Sequence, residues 1–187
     1  VTVSRVKGSC QFPADFMLAA AMNPCSCGHY PDRNRCHCTD AQIKRYLGKI
    51  SKPILDRIDI CVEAAPLQYE ELKAPGRNED SKTIRERVER VRRIQEKRFE
   101  QEPIYFNSEM SGADIRKYCR LSSEDESFFK RLYQTMGLSA RAYSKILKVA
   151  RTIADMDGSS DIAHEHLCEA IGYRSLEEKY WNTGGSI

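Results

Sequence analysis

Val1 and Val3, with Val6 beyond them, alternate with polar residues up to Lys7-Gly8-Ser9, and Cys10 to Phe12 can return as a second strand. The start of the chain therefore predicts a short hairpin. Phe16 to Met22 is a continuous apolar run halted by Asn23-Pro24. It is short for a helix, and a proline disfavours helical geometry at the residue before it, so the run predicts a strand buried on both faces of a parallel sheet. Residues 25–38 carry no apolar period and read as a loop. Thr39 can then cap a helix in which Ile43, Tyr46 and Leu47 share a face. Pro53 marks a break, and Ile58, Ile60 and Val62 alternate as a further strand up to Pro66.

The second half changes period. Residues 67–82 are polar, contain Pro75-Gly76 and read as a linker. Thr83-x-x-Glu86 resembles a capping box, and Ile84, Val88, Val91 and Ile94 or Gln95 form a narrow stripe, which predicts one long helix over 83–100. Ser111 and Ser122 or Ser123 can cap two more helices, the second carrying Phe128, Phe129, Leu132 and Met136 and ending at Gly137. Ser139 caps the next, which runs to about Met156 and stops before Gly158, and Ala163 to Gly172 is the last clear helix. The fold class expected is α/β followed by all-α. Residues 1–66 form part of an α/β core with a Cys-rich loop at 25–38, 67–82 a linker, 83–176 a helical domain and 177–187 a tail.

Composition narrows the function classes. The chain of 187 residues is 41% hydrophobic and 30% charged, with 30 Lys and Arg against 27 Asp and Glu. That is too apolar for a disordered chain, and its longest apolar run is too short to span a bilayer. No initiator Met, export signal or lipidation motif occurs, so the expectation is a soluble cytoplasmic piece of a longer protein with no membrane partner. In a reducing compartment, clustered cysteines point to metal or redox chemistry before disulfides.

Four of the eight cysteines, Cys25, Cys27, Cys36 and Cys38, form two Cys-x-Cys pairs eight residues apart. Four thiolates can close a tetrahedral shell around zinc and hold an irregular loop in one conformation. His29 or His37 could replace one of them, and reactive thiols or plain loop cysteines are the alternatives. Cys10, Cys61, Cys119 and Cys168 are scattered in apolar surroundings and read as small buried hydrophobes. Asn23, directly after the expected strand, stands where an amide can orient water or phosphate, or where Asn-Pro makes an ordinary turn. Arg141, Lys145, Lys148 and Arg151 share one helix face, which is either a solvated stripe or one that meets a phosphate. The helix over 83–100 holds seven Lys or Arg among four Glu, a pattern of ion pairing on a solvated helix. There is no G-x-x-x-x-G-K-[ST], no apolar strand ending in Asp-Glu, no G-x-S-x-G and no H-E-x-x-H.

Three stretches carry a resemblance. Phe12-Pro13-Ala14-Asp15-Phe16-Met17-Leu18 leads to Ala20-Ala21-Met22-Asn23-Pro24-Cys25-Ser26-Cys27-Gly28. Tyr46-Leu47-Gly48-Lys49-Ile50-Ser51 is followed by Leu55-Asp56-Arg57-Ile58-Asp59-Ile60. Leu138-Ser139-Ala140-Arg141-Ala142-Tyr143 precedes Lys148-Val149-Ala150-Arg151-Thr152-Ile153-Ala154-Asp155. In that order, and over nearly the whole chain to about Arg174, they resemble the magnesium-chelatase-like AAA+ ATPases of the YifB or ComM type.

The resemblance implies the C-terminal portion of a AAA+ P-loop NTPase sheet plus a helical lid bundle. Asn23 matches sensor 1, near the γ-phosphate and the attacking water. Arg57 matches the arginine finger that reaches a neighbouring subunit's nucleotide, and Arg141 matches the sensor 2 arginine of the lid. Arg5 and Lys7, near the tip of the hairpin, resemble the basic tips that touch DNA backbone in a related helicase clade. ATP and Mg2+ are the implied cofactors, their ligands mostly lying before Val1, and this chain alone is expected to be inactive as an ATPase. A homo-oligomeric ring, a hexamer by the family's habit, and single-stranded or branched DNA are the implied partners, with roles in natural transformation and recombination. Ser26 stands where the family usually has Pro, and Lys52 where it often has Gly. The alternatives are a chelatase motor subunit that remodels a metal-inserting partner, and a non-enzymatic zinc-containing interaction module.

Overall fold

The structure is a computed structural model that describes residues 1–14, 16–65, 69–73 and 79–181. It divides into two compact units, Val1–Tyr46 and Leu47–Ile187.

In the first unit, β1 (Thr2–Arg5) pairs antiparallel with β2 (Gly8–Gln11), Thr2 lying opposite Gln11 and Arg5 opposite Gly8. The expected hairpin is there. The Val1 ammonium donates to the Phe12 carbonyl at 2.7 Å, and the Phe12 N–H returns a bond to Val1 at 2.8 Å. The expected strand at Phe16 to Met22 is not formed: these residues are irregular, and Met17 is 93% exposed. A strand is completed by its neighbours' N–H and C=O groups, and among the described residues β1 and β2 form the one sheet. The apolar run records a preference for burial without supplying a partner. Helix α1 (Asp40–Leu47) opens at Thr39, whose hydroxyl accepts from Gln42 N–H while the Gln42 amide oxygen accepts from Thr39 N–H.

The second unit begins with a single turn, α2 (Lys52–Leu55). Pro53 was expected as a break, but it sits in the first turn, where its missing N–H has no helical partner to lose. The strand expected over Ile58, Ile60 and Val62 is also absent, with Val62 70% exposed. Backbone groups of this segment bond to the helices instead of a ladder: Cys61 N–H donates to Tyr173 O at 3.1 Å. A short helix, α3 (Tyr69–Lys73), lies in the stretch expected as linker, while residues 74–78 fall outside the described ones.

Helix α4 (Ser81–Arg98) starts earlier than the Thr83-x-x-Glu86 pattern suggested, because the Asp80 carboxylate accepts from Thr83 N–H at 2.7 Å. Of its stripe, Ile84 and Val88 are about half exposed, and only the C-terminal half is buried, through Val91 and Gln95. A 3-10 turn (Asn107–Glu109) leads to α5 (Gly112–Tyr118), capped by the reciprocal pair Ser111 and Asp114. Helix α6 (Ser123–Met136) is capped by Ser122 and ends at Gly137 with φ 58°, the left-handed value that glycine adopts without a Cβ clash. Helix α7 (Ala140–Met156), capped by Ser139, packs against α4, α5, the 3-10 turn and α8 (His164–Gly172). The core gathers Phe99, Ile115, Phe129, Ile146, Leu147, Ala150, Ala154 and Leu167 around it. A last helix, α9 (Ser175–Tyr180), runs across the expected boundary with the tail. It is tied back where Trp181 Nε1 donates to Leu47 O at 3.0 Å and Tyr180 Oη donates to Glu63 at 2.6 Å.

One polar network lies inside this bundle. Asp155 is fully buried and accepts from both Arg98 guanidinium nitrogens, from Arg151 Nε at 3.1 Å and from Asn107 Nδ2 at 2.8 Å. Arg151 spends its other nitrogens on the carbonyls of Ser159 and Ser160. With acid, bases and amide mutually satisfied, charges can sit where lone ones could not.

Candidate functional site

The loop after Asn23-Pro24 doubles back on itself. Gly28 takes φ 81° and its N–H closes a turn on Cys25 O, while Asp32 accepts from Asn34 N–H and its carbonyl from Cys36 N–H. These turns bring all four sulfurs within 4.8 Å of one another. The contacts are 3.3 Å for Cys25–Cys27, 3.5 Å for Cys27–Cys36 and 3.8 Å for Cys25–Cys36. All are beyond bonding distance, and the thiols are free. Metal–sulfur bonds of about 2.3 Å at tetrahedral angles separate sulfurs by roughly 3.8 Å, so a small inward or outward adjustment makes the set a closed shell for a borderline-soft cation. His29 and His37 are exposed and lie outside the four-sulfur set.

The thiols are electrically unequal. The His29 backbone N–H, then the Cys25 side chain, lower the Cys27 thiol to about 6. Burial pushes Cys36 up to about 12. Cys25 is pushed up by burial but brought below its ordinary value by the Tyr30 and Cys27 backbone N–H groups. Of the scattered cysteines expected to be buried, only Cys119 is; Cys10 is exposed, and Cys61 and Cys168 are half-buried.

Asn23 is exposed at the mouth of this loop, close enough to Gly28 that a Cβ there would lie 3.8 Å from the Asn23 amide nitrogen. Arg5 ends β1 and Lys7 occupies the hairpin turn, both exposed.

In the second unit Arg57 is exposed just after α2, and its Nη1 donates to Pro53 O at 2.6 Å. Neither neighbouring acid takes it. Asp59 is held by Lys145, and Asp56 lies 3.8 Å from Arg174. Arg141 is exposed in the first turn of α7, whose N-terminus is fixed by the Ser139 hydroxyl accepting from Ala142 N–H. The rest of its stripe departs from expectation. Lys145 reaches Arg57 O at 2.9 Å, Lys148 reaches Ser108 O at 2.7 Å, and Arg151 is buried on Asp155. Burial, then the neighbouring Lys145, holds the Lys148 amine below its usual value. A helix face that is basic in sequence has thus been divided, its start facing water and its later cations facing carbonyls and a carboxylate. Sequence reasoning missed Arg174 altogether; it is 1% exposed, and no local pattern marks an arginine whose acceptors lie more than a hundred residues away.

Two family profiles match the chain. One, described as magnesium chelatase, subunit ChlI, covers residues 1–72, and the other, its C-terminal counterpart, covers 78–174. The chain belongs to the magnesium chelatase ChlI family. Within it, the chain is similar to the competence protein ComM of Haemophilus influenzae, 42% identical over 177 residues that make up 94% of this chain and 34% of that protein. It is also 39% identical to the uncharacterised protein YifB of Escherichia coli over 180 residues, 95% of this chain and 34% of the relative. This ChlI-family chain, of the YifB/ComM type, thus spans about a third of the length of the curated relatives it matches. Among the described residues no helix is long and apolar enough to cross a membrane.

Proposed function

We propose that this chain supplies the sensor, finger and lid of an ATP-driven AAA+ ring motor that acts on DNA, in a role of the kind the name of ComM indicates. The observation that carries the reading is Arg57. It is an exposed guanidinium beside two carboxylates that both lie against other cations, so its charge is left for an anion from outside. In a phosphoryl transfer, negative charge spreads over the equatorial oxygens, and an arginine delivered by a second subunit stabilises that charge only in the assembled ring. Arg141, exposed at a helix start, is the lid's counterpart, and Asn23 orients the attacking water. The phosphate cradle and magnesium ligands come from outside these 187 residues. Residues 1–66 then serve as the C-terminal part of the α/β core, 83–176 as the lid, and Arg5 and Lys7 as contacts to the DNA backbone.

The Cys25, Cys27, Cys36 and Cys38 set is proposed to hold one structural zinc. Four sulfur ligands leave no open position, so its role is to fix the loop that follows Asn23.

The test uses the ATPase-competent protein that carries this chain. DNA-stimulated ATPase is expected, with Arg57→Ala leaving ATP binding nearly intact and lowering turnover by about 10³. Mixing Arg57→Ala subunits with subunits whose own P-loop is disabled should restore part of the activity, since one interface then joins a working nucleotide site to a working finger. Stimulation by a metal-inserting partner and not by DNA would favour the chelatase reading. Mixed rings that stay inactive would overturn the trans role of Arg57.

A further inference from the structure

The segment that carries Arg57 is gripped from behind by two cations of the helical bundle. Lys145 Nζ donates to Arg57 O at 2.9 Å and to the Asp59 carboxylate, with only 19% of its side chain exposed. Arg174, buried in the turn between α8 and α9, donates through Nη1 to Leu55 O at 3.3 Å and to Ile58 O at 2.5 Å. The Tyr173 carbonyl beside it accepts from Cys61 N–H. The carbonyls of residues 55, 57 and 58 are therefore all bound by side chains from α7 and from the turn after α8, while among the described residues no acid is paired with the Arg57 side chain. Lys145 lies one helical turn after Arg141.

Resting on the reading of Arg57 as a finger and Arg141 as a lid arginine, we infer that Lys145 and Arg174 are positioning residues that lock the finger's main chain to the lid helix. A buried guanidinium with two carbonyl acceptors, and an ammonium bound by a carbonyl and a carboxylate, fix this backbone through charge-assisted hydrogen bonds. Any displacement of α7 by nucleotide contacting Arg141 then moves the Arg57 carbonyl with it. The Lys145 link thus ties the finger's main chain to the helix that carries Arg141.

The experiment again uses the ATPase-competent protein. Lys145→Met keeps the apolar stem and removes the donors. It is expected to leave nucleotide affinity within about twofold and to lower turnover about 10- to 100-fold, the loss that a finger misplaced by about an ångström produces. Lys145→Arg, which keeps donors in reach of Arg57 O and Asp59, should recover most of it. The deciding readout is where the defect resides. Lys145→Met subunits mixed with P-loop-dead subunits bearing an intact finger should regain turnover, because the intact finger now serves the Lys145→Met subunit's nucleotide. A lysine acting on its own site through Arg141 gives no such recovery and overturns the inference. Arg57→Ala in the same mixtures separates the two levels. If it too fails to recover, the finger reading has failed; if it recovers and Lys145→Met does not, the positioning role alone has failed. Should Lys145→Met not fold, Asp59→Ala removes the carboxylate half of the same link, and an unchanged turnover in that variant refutes the proposal.

Discussion

Replacing Asp155 by alanine tests whether the buried network is what fixes α7 in the bundle. Its carboxylate is fully buried and accepts from Arg98, Arg151 and Asn107. The substitution removes the common acceptor and leaves Arg151, 2% exposed, with only the Ser159 and Ser160 carbonyls, while Arg98, 16% exposed in its side chain, can partly regain water. Breaking one partner of a buried pair costs about 3–5 kcal/mol, and the partial access of Arg98 argues for the lower end, about 3 kcal/mol. For a unit of this size that is a fall in melting temperature of roughly 6–15 °C. Trp181, the single tryptophan, packs against the start of the same unit through its bond to Leu47 O and reports the transition by fluorescence. Denaturant titration of the two proteins gives the difference directly. A loss below about 1 kcal/mol with an unchanged m-value would refute the reasoning, since it would mean that the two arginines find equal partners elsewhere. A triple variant, Arg98→Met, Arg151→Met and Asp155→Leu, should recover much of the loss, because it removes the charges together and leaves none stranded.

Three smaller outcomes follow from individual positions. At Gly137, φ is 58° and a Cβ would meet no atom within 4 Å, so Gly137→Ala should cost backbone strain alone, about 1–2 kcal/mol by denaturation; a neutral result would show that α6 ends differently in solution. The Asp125 carboxyl is held below its ordinary value by its hydrogen bond to His164, then by Ser122. Because the unfolded chain binds that proton more readily, the stabilisation is complete above the unfolded value of about 4 and is lost as pH falls through the folded one. The difference in midpoint between the chain and Asp125→Asn should therefore be present at neutral pH and close in acid, and a gap that persists under acid assigns it to packing. Chelator treatment should expose Arg33 and Arg35 in the Cys loop to trypsin while leaving the Trp181 transition in place, as the loop and the bundle belong to separate compact units; a loop that remains protected would refute the zinc assignment.

What the sequence made legible was local. Ser111, Ser122 and Ser139 cap helices as their types suggest, and Gly137 closes one, because a cap is settled by a side chain and an N–H within one turn. The paired cysteines converge for the same reason, their turns being set within fourteen residues of loop. The strands at 16–22 and 58–62 were read from apolar pattern, which states a need for burial and cannot name the partner that a ladder requires. Pro53 was misread by position: the residue that breaks a helix interior is favoured in a first turn. Arg98 and Asp155 pair across 57 residues and Arg174 reaches Ile58 across 116, and no window of sequence contains both ends of either contact.

The division of the cations along α7 follows from what each can reach. Arg151 enters the core, where an unpaired charge would be costly, and it is there only because Asp155 lies one turn further along the same helix. Lys145, one turn and a half nearer the N-terminus, is mostly covered, and its ammonium is satisfied by a carbonyl and a carboxylate of the 57–59 segment. Arg141 stands in water at the helix start, where keeping a free guanidinium costs little and where the helix dipole, positive at this end, favours an approaching anion. One helix therefore holds four basic residues, and burial separates the exposed Arg141 from Lys145, Lys148 and Arg151, which are bound to carbonyls and carboxylates. In the proposed reading the solvent-facing Arg141 meets a phosphate and Lys145, a single turn further along α7 and bound to the 57–59 segment, ties that helix to Arg57.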